Sequence, residues 1–327
     1  PRRHDWAQQQ EHMMGLELTI LGCHSASPRA EARPTAQLLD ISGHLFLIDC
    51  GEGTQVALRQ HRIKFARIKH IFISHLHGDH YFGLIGLIST LRLLGREEPL
   101  HIYGPKGLKE IITLQLRLGK SWTNFPLLFQ ELNDRTSVMV YEDDAITVET
   151  LPLDHRVYTN GFLFKAKPGE RILNREAAEK AGISPAYYKK LKQGYNVPNE
   201  QGAQVDYQEV TNQCRVPVSY AYCSDTAYLP SLADLIKGVS VLYHESTFLN
   251  AQQDLCDRTK HSTAQQAALI AKEAQARFLI LGHYSGRYAD VTQFRDEALT
   301  YFDQVYLAED GRCFNLPFGD ANGLTQI

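Results

Sequence analysis

Residues 70–83, HIFISHLHGDHYFG, constrain this chain more than any other stretch. An apolar run that reads as a strand ends in His75, His77, Asp79 and His80, four potential ligands within six positions. Imidazole nitrogens and a carboxylate oxygen are a donor set that suits zinc. A merely polar turn needs no such crowding. Four groups overcrowd one tetrahedral ion that must also keep an open position, so the cluster reads as shared between two ions. Each ion then needs further ligands from distant parts of the chain. The fold must bring several strand ends to one place.

The sequence offers three such strand ends. His155 follows ITVETLPLD, Asp225 follows VSYAYCS, and His283 closes ARFLILGH. Each sits where an apolar run stops and a loop begins, the usual position for ligands carried on a rigid scaffold.

The surrounding pattern predicts strands at 16–21, 36–41, 45–49, 70–74, 100–104, 126–131, 138–141, 146–152 and 161–166. A second half restarts it, with strands at 218–224, 239–245 and 276–283. Helices are expected at 51–61, at 81–95 (apolar nearly all round), at 105–118 with Pro105 in its first turn, at 263–274 capped by Ser262 or Thr263, and at 290–302. Strands mixed with helices in two similar halves imply an α/β fold of two packed sheets with helices outside. Residues 167–215 break the pattern. They are polar, punctuated by glycine and proline, and read as an insertion projecting from the body. The first fifteen residues read as a disordered leader or cloning remnant without the apolar core of a secretory signal, which leaves 16–327 as one domain.

Composition narrows the setting. The 327 residues carry 34 Lys and Arg against 37 Asp and Glu, so no global basic field attracts nucleic acid. A local one exists: positions 165–192 hold eight basic residues against three acidic ones. That is a footprint for a phosphate backbone. The six cysteines form no C-x-x-C pair and are too sparse for a disulfide framework, which favours reduced thiols and a cytoplasmic protein. No apolar run approaches the roughly 18–20 residues of a membrane span.

SHLHGDH is the H-x-H-x-D-H signature of the metallo-β-lactamase fold. Together with IDCGEGTQVALR, YHESTF, HSTAQQAA and LGHYSGRY it resembles ribonuclease Z, the endonuclease that matures transfer-RNA 3′ ends, from Leu16 to about Phe302. The resemblance implies a four-layer αββα sandwich with a protruding arm at 167–215 that grips transfer RNA. It implies two Zn2+ per subunit, with Mn2+ or Fe2+ as alternatives. His75, His77 and His155 would hold one ion, Asp79, His80 and His283 the other, and Asp225 would bridge them. Asp79 would also accept a proton from the attacking water, and His261, oriented by Glu245, would protonate the leaving oxygen. The products would be a transfer RNA with a 3′-hydroxyl and a trailer with a 5′-phosphate. Arg33, Lys189, Lys190, Lys192 and Arg287 would contact substrate, Tyr288 beside them being a further candidate, and the enzyme would be a homodimer. The chain departs from the family in three places: GISPAYYKKLKQG lacks the arm's Gly-Pro pair, SPRAEARPT replaces P-x-K-x-R-N, and CSDT replaces Ser-Gly-Asp-Thr. The competing reading is a phosphodiesterase of the same fold acting on a small or different nucleic-acid substrate. A catalytically dead RNA-binding scaffold is disfavoured, because no family ligand is missing.

Overall fold

The computed structural model describes residues 15–213, 217–317 and 323–327. The leader expected at 1–15 lies outside the described residues except for Gly15, as does Cys214.

The chain first forms strands β1 (Leu16–Gly22), β2 (Ala36–Ile41), β3 (His44–Ile48), β4 (His70–Phe72), β5 (Leu100–Pro105) and β6 (Leu127–Leu132). Strands β7 (Met139–Glu142), β8 (Ile146–Pro152) and β9 (Asn160–Ala166) follow. The insertion carries four two-residue strands, β10 (Ile172–Leu173), β11 (Val197–Pro198), β12 (Gln204–Val205) and β13 (Thr211–Asn212). Then come β14 (Ser219–Cys223), β15 (Val241–Glu245), β16 (Phe278–Gly282), β17 (Val305–Leu307), β18 (Cys313–Leu316) and β19 (Thr325–Gln326).

Two large sheets result, ordered β19-β18-β1-β2-β3-β4-β5-β6 and β17-β16-β15-β14-β9-β8-β7. Each has a parallel half, β3 to β6 in one and β14 to β17 in the other, joined to an antiparallel half. Successive residues of a strand point to opposite faces. In the central strands both faces are buried. Phe72 enters the core between the sheets, while Ile71 and Ile73 meet the helices outside. These central strands therefore read as largely apolar runs. Phe46, Phe72, Phe162 and Phe164 interlock between the sheets at ring separations of 5.2–5.7 Å. Burying each such ring contributes about 1.5–3 kcal/mol. Helices Thr54–Gln60, Leu84–Leu93 and Leu108–Leu118 cover the first sheet, and Ala264–Glu273 and Thr292–Leu299 the second.

Helix boundaries correct the sequence reading in two places. Pro105 closes β5, and the next helix starts at Leu108 after Gly107 at φ 101°. The helix expected at 81–95 spans Leu84–Leu93 and buries one face through Leu84, Leu87, Ile88 and Leu91. A separate turn, Gly78–Tyr81, carries Asp79 and His80. Gly83, between the two, admits no side chain, because a Cβ there would stand 2.1 Å from the Gly51 carbonyl oxygen. Cys50 is bonded into the same turn, donating its N–H to the His80 carbonyl at 2.8 Å. The end of β3 is thus locked against the histidine-bearing turn. Helix Ala264–Glu273 starts with a reciprocal cap: Thr263 accepts from Gln266 N, and Gln266 accepts from Thr263 N.

The insertion leaves the body between β9 and β14, which are antiparallel neighbours. It has its own small core of Ala178, Ile183, Leu191, Val197, Val205 and Val210, separate from both main cores. Asn174 caps its helix Arg175–Lys180 by accepting from Ala177 N at 3.1 Å.

Candidate metal centre

Four strand ends converge at one edge of the sandwich. The loop after β4 brings His75 and His77, and the turn behind it Asp79 and His80. The loop after β8 brings His155, the loop after β14 Asp225, and the end of β16 His283. Three residues here have left-handed backbones: Asp49 at φ 55°, Asp225 at 57° and His283 at 61°. Such a conformation costs of order 1–3 kcal/mol in a non-glycine residue and persists only where surrounding structure enforces it.

Two groupings form. In the first, His77 Nδ1 lies 3.0 Å from His75 Nε2 and 3.2 Å from His155 Nε2. Asp225 Oδ2 lies 3.6 and 3.7 Å from the same two Nε2 atoms. In the second, His80 Nε2 lies 3.4 Å from Asp79 Oδ2 and 3.2 Å from Asp225 Oδ1. His283 Nε2 lies 3.7 and 3.1 Å from those oxygens. One carboxylate thus presents an oxygen to each grouping.

Both groupings could hold a metal ion, and the donors fit one. A tetrahedron with bonds of ~2.0–2.1 Å has edges of roughly 3.3–3.4 Å, within the spread observed. His80 Nε2 and His283 Nε2 are buried without a hydrogen-bond partner, a costly state unless something else satisfies them. Their outer nitrogens are occupied. His80 Nδ1 donates to Asp49 Oδ2 at 2.7 Å, and His155 Nδ1 donates to the Lys260 carbonyl at 2.8 Å. His283 Nδ1 meets Thr247 Oγ1 at 3.0 Å, and that hydroxyl donates to Glu245 Oε2 at 2.7 Å. Donation outward leaves the inward Nε2 lone pairs available for a cation. Burial pushes the His75 pKa well down, which keeps the ring neutral and able to ligate. Burial also works against charge on His80, but Asp225, Asp49 and Asp79 around it override that and push its pKa well up. The pocket calls for positive charge.

Asp49 was not singled out from the sequence. Its carboxylate accepts from Ser74 N at 2.7 Å, from Tyr222 OH at 2.6 Å and from His80. The signal was an acidic residue closing the apolar run LFLI. Thr247, in HEST, was also missed as a link between Glu245 and His283.

Next to the groupings, His261 Nδ1 lies 2.6 Å from Glu245 Oε1. Its ring stands 5.1 Å from that of His155 and 5.4 Å from that of His283. Glu245 is fully buried and also accepts from Thr226 N and Thr247 N, each at 3.0 Å. Burial works to lower the His261 pKa, but the Glu245 carboxylate prevails and holds it at about 9.

None of the other candidates belongs to either donor grouping. The Arg33 guanidinium bonds Gln60 Oε1 at 2.7 Å. Arg287 is exposed on the loop past His283, while the Tyr288 hydroxyl is taken up by Gln252 Oε1 at 2.6 Å and Leu249 N at 3.1 Å. On the insertion, Lys189 is exposed, Lys190 lies over the Tyr187 ring at 6.0 Å, and Lys192 pairs with Glu170 at 2.8 Å. Two more groupings occur: Asp225, His261 and His283, which overlaps the second one above, and Cys23, His24 and Asp310, which has a structural explanation. Asp310 accepts from Cys23 N and Arg33 N at 3.1 and 2.6 Å, and Arg29 donates to His24 Nδ1 at 3.1 Å.

Comparison with known proteins agrees with this architecture. A family model described as Anti-Pycsar protein Apyc1 matches residues 16–166. The solved structure of the metallo-β-lactamase fold protein YhfI from Bacillus subtilis is similar over 92% of this chain and all of its own, with a TM-score of 0.64 at 18% identity. That of human tRNase Z, short form, covers 92% of this chain and all of its own, with a TM-score of 0.68 at 27% identity. The Ribonuclease Z of Bacteroides fragilis is 41% identical over 304 residues, which is 93% of this chain and the whole of that protein. Likeness of that degree over nearly the full length, on a metallo-β-lactamase fold, places the chain in the ribonuclease Z family.

Proposed function

We propose that the chain is a metal-dependent endoribonuclease that removes the 3′ trailer from precursor transfer RNA. The observation that carries this reading is Asp225 facing two donor groupings at once, with the His261–Glu245 pair beside them. His75, His77 and His155 would hold one Zn2+, Asp79, His80 and His283 a second, and Asp225 both. When bound, such ions activate water at neutral pH and stabilise charge on the phosphoryl oxygens. Asp79, whose Oδ2 accepts from Ala26 N at 2.9 Å, takes the proton lost by the attacking water. As oxygen adds to phosphorus, the P–O3′ bond breaks. His261, kept protonated by Glu245, gives its proton to the departing 3′-oxygen. The transfer RNA keeps a 3′-hydroxyl and the trailer a 5′-phosphate.

The insertion supplies the grip. Lys189, Lys190, Arg175 and Lys180 project from a self-contained core, and such cations hold RNA backbone without reading its sequence. Incubation with end-labelled precursor and divalent metal is expected to give these two product ends. Affinity should fall at least about tenfold between 50 and 200 mM salt, and far less after deletion of 167–215. No cleavage, or affinity insensitive to salt, would overturn the reading.

The same face that carries helices Thr54–Gln60 and Leu84–Leu93 exposes Val56, Phe82, Leu94 and Leu93, the last at 83%. A second copy of the chain is the proposed cover, and light scattering that returned the monomer mass at micromolar concentration would count against it. The described cysteines are all unpaired, which suits the reducing cytoplasm, and no described helix is long and apolar enough to cross a membrane. A fluorescent fusion excluded from the cytoplasm would contradict that setting.

A further inference from the structure

The chemistry above leaves one large cleft unused. It opens beside His155, encloses about 930 Å³, and is walled by the loops at 134–137, 152–160 and 229–235. Small-ligand sites occupy roughly 300–1,000 Å³. His155 belongs to both the cleft and the first donor grouping, so a ligand in the cleft is one side chain away from the reacting phosphate.

The lining has two characters. Arg156 is exposed and forms no ion pair with a described residue. It follows His155 directly in the chain and lines the cleft beside it. The wall also has apolar members: Val157 and Leu235, each about two-fifths exposed, and Leu229. Asn160, 1% exposed, lines the cleft as well. Its Nδ2 donates to the Tyr158 hydroxyl at 2.9 Å, and its Oδ1 has no partner. A buried carbonyl left unsatisfied is costly unless a ligand donor completes it. Asp134 and Asp234 also border the cleft, which disfavours a ligand carrying several phosphates. One negative charge near Arg156 and His155, beside a flat group with amide or amine donors, is the chemistry that suits the lining.

We propose that this cleft seats the nucleoside adjoining the scissile phosphate. Arg156 holds its phosphate, Val157, Leu229 and Leu235 face the base, and Asn160 Oδ1 accepts from a base N–H. The assignment rests on the endoribonuclease reading and deepens it. In it the cleft, rather than the insertion, sets the preference for the base at the cut.

The test uses the full-length, metal-loaded protein and precursor transfer RNA with 4-thiouridine at either nucleotide flanking the cut. A phosphonate linkage at the cut, with CH2 in place of the leaving 3′-oxygen, holds the substrate intact during irradiation, and cross-linked peptides are mapped. At one of the two positions, cross-links are expected within 152–160 or 229–235, with Arg156→Ala lowering their yield at least fivefold. Cross-links confined to other segments, absence of any cross-link, or a yield unchanged in Arg156→Ala overturns the assignment. The same preparation is assayed on unmodified precursor. Failure to cleave there overturns the endoribonuclease reading itself, whereas cleavage at the mature end with the wrong cross-link map overturns only the cleft.

Discussion

Asp225→Ala is expected to lose bound metal and to cleave precursor transfer RNA on the order of 10³-fold more slowly, or worse. The reason is geometric. Asp225 Oδ2 faces His75 and His155 at 3.6 and 3.7 Å, while Oδ1 faces His80 and His283 at 3.2 and 3.1 Å. No other ligand of the set faces both the His75–His155 and the His80–His283 pairs. Losing Asp225 opens both and leaves a buried pocket with less negative charge to offset two divalent ions. Asp225→Asn, which keeps the shape, should show the same defect, and this separates lost ligation from misfolding. Metal analysis of the wild type should give two equivalents per subunit, and of the variants fewer. Undiminished metal content or activity in either variant, or full activity of chelated wild type, would refute the dinuclear assignment.

His261→Ala is expected to slow cleavage of precursor RNA by about 10²–10⁴-fold while leaving metal content at the wild-type level. His261 is held by Glu245 at 2.6 Å and stays protonated at neutral pH because that carboxylate outweighs its burial. A ribose 3′-oxygen leaves poorly without a proton, whereas a p-nitrophenolate leaves readily. Hydrolysis of bis(p-nitrophenyl) phosphate should therefore fall far less than RNA cleavage. Equal losses on the two substrates would mean that His261 supports the site's structure and is not the acid.

Much of the frame was legible because the strands are buried on both faces, so β1 to β5, β8, β9 and β14 to β16 appear as apolar runs. Their short C-terminal companions β17, β18 and β19 were not. Strand β18 pairs with β1 across almost the whole chain, Leu16 opposite Leu316, and nothing local announces that partner. The insertion reads as polar because its six core residues are spread among charged neighbours, and only folding collects Ala178, Ile183, Leu191, Val197, Val205 and Val210. Pro105 misled the reading of its helix because a proline that ends a strand and one that starts a helix look alike in sequence.

The site divides in the same way. Residue type and position determined the donors: imidazoles and carboxylates placed where apolar runs stop have few other uses. What the linear order left open was which donors face which, and how they are held. The split of Asp225 between two groupings, the outward bonds that turn the Nε2 atoms of His80 and His155 inward, and the left-handed backbones of Asp49, Asp225 and His283 all depend on contacts between segments far apart in the chain. Those contacts exist only once two sheets have packed and their strand ends share one edge, since a side chain's direction is set by the neighbours that confine it.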